Sequence, residues 1–321
     1  MPNKKPRSGF TPSANAGVEA PDSRRTYLTA ERKVWFGFGA AADARHAAET
    51  VSLGQQADRD GLDLFCVPDH PYSGRRLDAY ATVGFILGRT SAVTGLVDVT
   101  NLPTRPAPML ARALTSLSWL YDGRLVLGIG AGGYWDAIVK MGVPRLTPGS
   151  AVTALEEAIT LVRLLSSGGP PVTFEGKHYQ VTGIEPAPAS APPVWTGSVG
   201  PRSLAVTGRL ADGWIPGRAS DWMSDLYRTS RPVIDEAATA AGRDPTGIAT
   251  VYHLTGEVTV RDQPRTCGKS CRPFARRSRN RRCPLPPQTH RRCRRSPPSP
   301  GNCRHSCSAT LPTKRTNSTT A

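Results

Sequence analysis

The apolar positions of the chain follow two alternating periods. The runs "VWFGFG" (34–39), "LDLFCVP" (62–68), "TGLVDVT" (94–100), "RLVLGIG" (124–130), "PVWT" (193–196), "GWIP" (213–216) and "IATVYHL" (248–254) read as short buried strands. Between them the spacing becomes helical. Ala44, Ala47, Ala48 and Val51 share one face before a stop at Gly61, and a second helical stretch covers Leu77 to Arg89. The next helix places Leu110, Ala113, Leu114, Leu117 and Leu120 on its inner face, with Pro106 near its first turn and Gly123 past its end. "WDAIVKMG" suggests a short helix. Thr153-x-x-Glu156 reads as a capping box opening a helix whose inner face is Leu155, Ile159, Val162 and Leu165. "VTFEGKHYQV" reads as a hairpin turning at Glu175-Gly176, and two further helices start at Pro201 and run up to Ala241.

Seven strands separated by helices predict an α/β fold with a parallel sheet. Their number and the length of the region fit a TIM (β/α)8 barrel lacking its last strand and helices. Residues 31–260 form this barrel domain, residues 1–30 read as a disordered leader, and residues 261–321 as a basic, Cys/Pro-rich disordered tail. A barrel short of one strand leaves the edges of its first and seventh strands unpaired, which predicts weak stability or aggregation.

Charge changes the picture only at one end. The chain of 321 residues carries a formal +16, but sixteen Lys or Arg and a single acidic residue, Asp262, lie between Arg261 and Ala321. The body holds 25 basic and 24 acidic side chains and is nearly neutral. Six of seven cysteines also lie in the tail, leaving Cys66 in the body, as in a reducing, cytoplasmic compartment. No signal peptide and no apolar run of bilayer-spanning length is found in the sequence.

The tail offers only Phe274, Leu285 and Leu311 as large apolar groups, too few to order it by burial. Its cysteines, with His290 and His305, match no standard zinc spacing, so no metal site is expected. A basic arm of this kind attracts phosphates, which keeps a nucleic-acid-associated protein open as an alternative of a different class. Arg, Pro, Ser and Cys without aliphatics is instead the composition of a GC-rich coding region read in a shifted frame, and this reading makes nucleic acid a poor partner.

Barrel enzymes carry their chemistry at the C-terminal ends of the strands. The second strand ends in "VPDHP", placing Asp69 and His70 at the rim. The third ends in "DVTNLP", with Thr100 and Asn101. The fourth ends in "GIGAGG", whose Gly128, Gly130, Gly132 and Gly133 let a ligand approach the backbone. The turn "TGSVGPRSL" puts glycines ahead of a helix start at Pro201, an arrangement that aims amides at a phosphate. His178 reads as part of a surface hairpin, and His253 as an ordinary strand residue.

Taken in order, "GLDLFCVPDHP", "NLPTRPAPMLARALTSLSWLYDGRLVLGIGAGGYWDAI", "TPGSAVTALEEAITLVRLL", "FEGKHY" and "PVWTGSVGPRSLAVTGRLADGW" resemble the luciferase-like flavin and deazaflavin oxidoreductases, especially their F420-dependent branch. The resemblance covers Trp35 to Val260. It implies hydride transfer between coenzyme F420 and a small organic substrate in the mouth of a TIM barrel. The alternative it leaves is an FMN-dependent monooxygenase served by a separate flavin reductase; a homodimer is also in keeping with it. By resemblance, Asp69 and His70 are catalytic and lie beside the cofactor ring, with His70 moving the proton. A non-proline cis peptide at Val99-Thr100 backs the ring next to Asn101. Gly130 and Gly132 let the cofactor approach, and the amides of Gly197, Ser198, Val199 and Gly200 hold its phosphate. Gly133 stands where some F420-dependent dehydrogenases carry an acidic residue, which speaks against a sugar-phosphate dehydrogenase mechanism.

Overall fold

A computed structural model describes residues 34–217 and 224–254, all within one unit of the chain; the proposed leader 1–30 and tail 261–321 lie outside the described residues. The strands are β1 Gly37–Gly39, β2 Leu64–Val67, β3 Thr94–Val97, β4 Thr100–Asn101, β5 Leu125–Gly130, β6 Val172–Glu175, β7 Gln180–Ile184, β8 Val194–Thr196, β9 Gly213–Trp214 and β10 Ala249–Thr250. The helices are α1 Ala47–Arg59, α2 Ala79–Leu87, α3 Ala107–Leu120, α4 Trp135–Ile138, α5 Pro148–Leu164, α6 Pro201–Leu210 and α7 Asp225–Ala240.

All seven sequence-read strands are present and pair in parallel in the order β1-β2-β3-β5-β8-β9-β10. This is the curled sheet of a TIM barrel with one gap, since among the described residues β1 pairs only with β2 and β10 only with β9. The third strand is divided: β3 and β4 both pair with β5, on either side of Asp98 and Val99. β6 and β7 form the expected antiparallel hairpin outside the barrel.

Strand alternation sorts the side chains of the sheet onto an inner and an outer face. Leu64, Leu96, Val126, Trp195 and Ile215 point inward and pack with Trp35, Cys66, Val99, Ala249 and Val251, and the Trp35 and Trp195 rings sit 6.1 Å apart. Phe65, Val67, Val97, Leu125, Leu127 and Ile129 point outward onto the helices. Gly128 is the tightest point of the sheet, where a Cβ would stand 2.1 Å from the Val97 carbonyl oxygen.

Polar groups fasten the loops away from the rim. Asp58 accepts hydrogen bonds from the amides of Ser91, Ala92 and Val93, and Arg124 donates to the carbonyls of Leu87, Thr90 and Val93. Glu157 accepts from the amides of Lys177, His178 and Tyr179, so the hairpin is tied to α5 through a turn that spans 176–179 rather than Glu175-Gly176 alone.

Two helix details differ from the sequence reading. α5 starts at Pro148, with Thr147 accepting from the Ser150 amide; Thr153 lies inside the helix and donates to the Gly149 carbonyl, while Glu156 pairs with Arg209. Pro at the first helical position fixes the start six residues earlier than the Thr-x-x-Glu pattern suggested. Leu120, expected on the inner face of α3, is 68% exposed because it falls in the last, uncovered turn.

Candidate functional site at the barrel mouth

The rim begins where β2 ends. Asp69 is almost fully buried, and its carboxylate accepts from Arg105 Nε and Nη2, both at 2.7 Å, and from the Asn101 amide at 3.0 Å. Arg105 also reaches Asp78, the N-cap of α2, and lies over the Tyr80 ring. The Asp69 carboxylate therefore clamps the β4 turn to the start of α2. Arg105 sits inside a motif of the sequence reading but was not singled out there, because a single arginine in "NLPTRPAP" carries no spacing signal.

His70 is half-buried. Its Nδ1 is 2.6 Å from the Tyr72 hydroxyl, and its ring packs at 5.5 Å from both Tyr72 and Tyr134. Burial pulls its proton affinity below the ordinary value of 6.5, and the Arg76 charge adds to this against a smaller opposing effect of Asp69. The imidazole is thus neutral at neutral pH. Burial, with help from Tyr134 and Asp69, likewise raises the Tyr72 phenol. Arg75 and Arg76, with Asp43 and Ser73, line a polar groove of about 240 Å³ beside this cluster.

The cis peptide lies at Asp98-Val99, one residue before the expected Val99-Thr100. With it there, the Val99 side chain enters the barrel interior. The Thr100 hydroxyl instead points outward to Tyr80, at 2.7 Å, and is fully buried on the helix side, so it faces away from the mouth. Asn101 is buried opposite Gly130 in the β4–β5 register, and its Oδ1 has no hydrogen-bond partner among the described residues.

Gly130 and Gly197 both face Val99: a Cβ on either would approach Val99 Cγ2 to 3.0 and 3.1 Å. Gly132 has φ +98° and faces Pro103 and Trp135. The Gly197 amide donates to the Ile129 carbonyl as part of the sheet, which removes it from the set expected to hold a phosphate. The amides of Ser198, Val199 and Gly200 make no hydrogen bond within the described residues. They lead into the N-terminus of α6, which has Pro201 in its first turn and no side-chain cap. Ser198 is buried, its carbonyl accepts from Trp214 Nε1, and its Oγ is unpartnered. Val199 is half-exposed at the tip.

The sequence reading missed a second pair. His253 Nε2 lies 2.6 Å from Asp98 Oδ2, although the two residues are 155 positions apart. Period-two alternation from Leu96 and from Val251 turns both inward, which is the signal that could have found them. His178 lies on the hairpin turn as expected, but its Nε2 is buried without a hydrogen-bond partner among the described residues.

The chain is similar to known proteins over most of the described region. The sequence profile of the luciferase-like monooxygenase family matches residues 27–291, running past Val260, the end expected from the motifs quoted above. The F420-dependent glucose-6-phosphate dehydrogenase of Nakamurella multipartita is 30% identical over 218 residues, 65% of this chain and 63% of that protein. The phthiodiolone/phenolphthiodiolone dimycocerosates ketoreductase of Mycobacterium tuberculosis is 33% identical over 175 residues, 52% of this chain and 43% of that protein. This chain therefore spans less than two thirds of the length of either relative. An F420-dependent secondary alcohol dehydrogenase superimposes with a TM-score of 0.61 at 21% identity, over 68% of each chain. The monooxygenase RslO1 from Streptomyces bottropensis does so with 0.59 at 20%, over 68% of this chain and 70% of the other. At such identities the superpositions establish the barrel fold. The profile match over residues 27–291, on a parallel β/α barrel, assigns the chain to the luciferase-like monooxygenase family.

Proposed function

We propose that the barrel mouth binds coenzyme F420 and that the chain transfers a hydride between it and a small organic substrate. The carrying observation is the pair of buried, unpartnered polar atoms, Asn101 Oδ1 and Ser198 Oγ, on the rim where Gly130 and Gly197 close on Val99. Buried polar atoms are nearly always satisfied, so two orphans on one rim are what a polar ligand would complete. The residues present thus fit a flat cofactor with an anionic arm.

In this reading the amides of Ser198, Val199 and Gly200 and the N-terminus of α6 hold the phosphate. Val99, packed against Gly130 and Gly197, supports the ring, Gly132 lets Pro103 and Trp135 close on the rim, and Asn101 binds the polar edge of the ring. His70, Tyr72 and Tyr134 form an aromatic wall. Asp69 is a positioning residue that fixes the turn carrying Asn101. The cofactor supplies two-electron hydride chemistry, and the protein excludes water and orients the substrate.

The F420-dependent relatives support F420 over FMN, for which a flavin reductase would be the partner. The exposed Phe85, Trp119 and Leu120 on α2 and α3 support a homodimer. No helix of the described residues is long and apolar enough to cross a membrane, and the free thiol of Cys66 suits the cytoplasm.

Titrating the full chain separately with F420 and with FMN, followed by absorbance and fluorescence, tests the reading. Saturable binding of F420 with FMN at least tenfold weaker is expected. Binding of neither would sink it.

A further inference from the structure

Asp98 and His253 leave opposite parts of the sheet, the ends of β3 and β10, and meet at 2.6 Å. Leu96 packs in the interior and Val97 against the helices, so Asp98 turns inward again. Val251 is interior, Tyr252 packs on Tyr227 of α7 outside, and His253 follows inward. The pair is part-buried, with Asp98 16% and His253 40% exposed.

An ionised carboxylate can only accept, so Asp98 accepts a hydrogen bond from His253 Nε2–H and thereby fixes the tautomer. Nδ1, which makes no hydrogen bond to a described residue, is left as the ring's working atom. It accepts when the imidazole is neutral and donates when it is protonated. The hydrogen bond from Asp98 raises the proton affinity of His253, with burial opposing it. Asp98 is the charged group facing His253, and the Cys66 thiol on β2, itself pushed up by burial and by Asp98, is the titratable group facing Asp98. His70 differs on both counts. Its Nδ1 is engaged by Tyr72, and its surroundings favour the neutral form.

We propose that His253, oriented by Asp98, is the proton donor and acceptor for the substrate's oxygen in the barrel mouth. The inference rests on the redox reading above. When an alcohol gives its carbon-bound hydrogen as hydride to a two-electron acceptor, its O–H proton passes to His253 Nδ1, leaving a carbonyl compound and an imidazolium. In the reverse direction the imidazolium returns that proton as the carbonyl carbon receives hydride. Asp98 is a positioning residue.

The test uses the full chain, His253→Gln and Asp98→Asn, each checked for folding by circular dichroism and for F420 affinity by fluorescence. Histidine-selective NMR should show the His253 imidazole titrating at lower pH in Asp98→Asn than in the parent. Identical titration in the two would overturn the pairing. With reduced F420 and acetone, cyclohexanone or benzaldehyde as probes, His253→Gln should lose about 100-fold or more in kcat. Its F420 Kd should stay within twofold. Asp98→Asn should move the alkaline limb of the kcat–pH profile downward. An active parent whose His253→Gln variant keeps kcat within threefold overturns this inference alone. A parent that binds F420 yet reduces none of the probes counts against the redox reading and removes the inference with it.

Discussion

Asp69 and Arg105 form a two-pronged ion pair, Nε to Oδ2 and Nη2 to Oδ1, each at 2.7 Å, and the same carboxylate receives the Asn101 amide. The Asp69 side chain is 1% exposed, so removing its partner strands a buried charge. Arg105→Ala should therefore destabilise the fold by roughly 3–5 kcal/mol, measured by urea unfolding. A loss below about 1 kcal/mol would show that the clamp does not hold the turn.

Gly128 has no room for a methyl group, because its added Cβ would meet the backbone carbonyl of Val97 rather than a movable side chain. Gly128→Ala should cost about 1–3 kcal/mol or more by overpacking, seen as a lowered Tm. Gly133→Ala, where nothing lies within 4 Å, should leave Tm nearly unchanged.

The two rim histidines should respond to pH in opposite senses. His70 has a folded-state value below its ordinary 6.5, so it contributes stability that is complete above 6.5 and lost as pH falls through the folded value. His253 has a raised value, so its contribution is complete below 6.5 and lost as pH rises through the folded value. Arg76→Ala should move the His70 titration upward in NMR by removing a repelling charge. A downward movement would contradict the assigned cause.

Ser198 Oγ should gain its partner only when the cofactor binds. Ser198→Ala is expected to weaken F420 binding by about 0.5–1.5 kcal/mol, read by fluorescence titration, while unfolding stability stays level or rises slightly. Equal loss in stability and binding would assign the hydroxyl a structural role instead.

Arg231 fastens the last described strand. It donates to the carbonyls of Ile248 and Pro245 and to Thr250 Oγ1, and pairs with Asp235. Arg231→Ala should speed amide exchange across 245–254 while leaving β2, β3 and β5 protected, because among the described residues β10 pairs only with β9.

The sequence alone determined the barrel. Seven apolar runs separated by helical periodicity became the seven strands of the parallel path, because burial on alternating faces writes itself into local spacing. The glycine-rich ends of β5 and β8 were legible for the same reason, since close backbone approach leaves a residue-type signature. Side-chain partners across the mouth were decided only by the tertiary structure. Nothing local shows that the Asp69 carboxylate is used up by Arg105, that Thr100 faces Tyr80, or that the Gly197 amide belongs to the sheet. The Asp98–His253 pair joins residues 155 positions apart, and only the curl of the sheet brings the ends of β3 and β10 together.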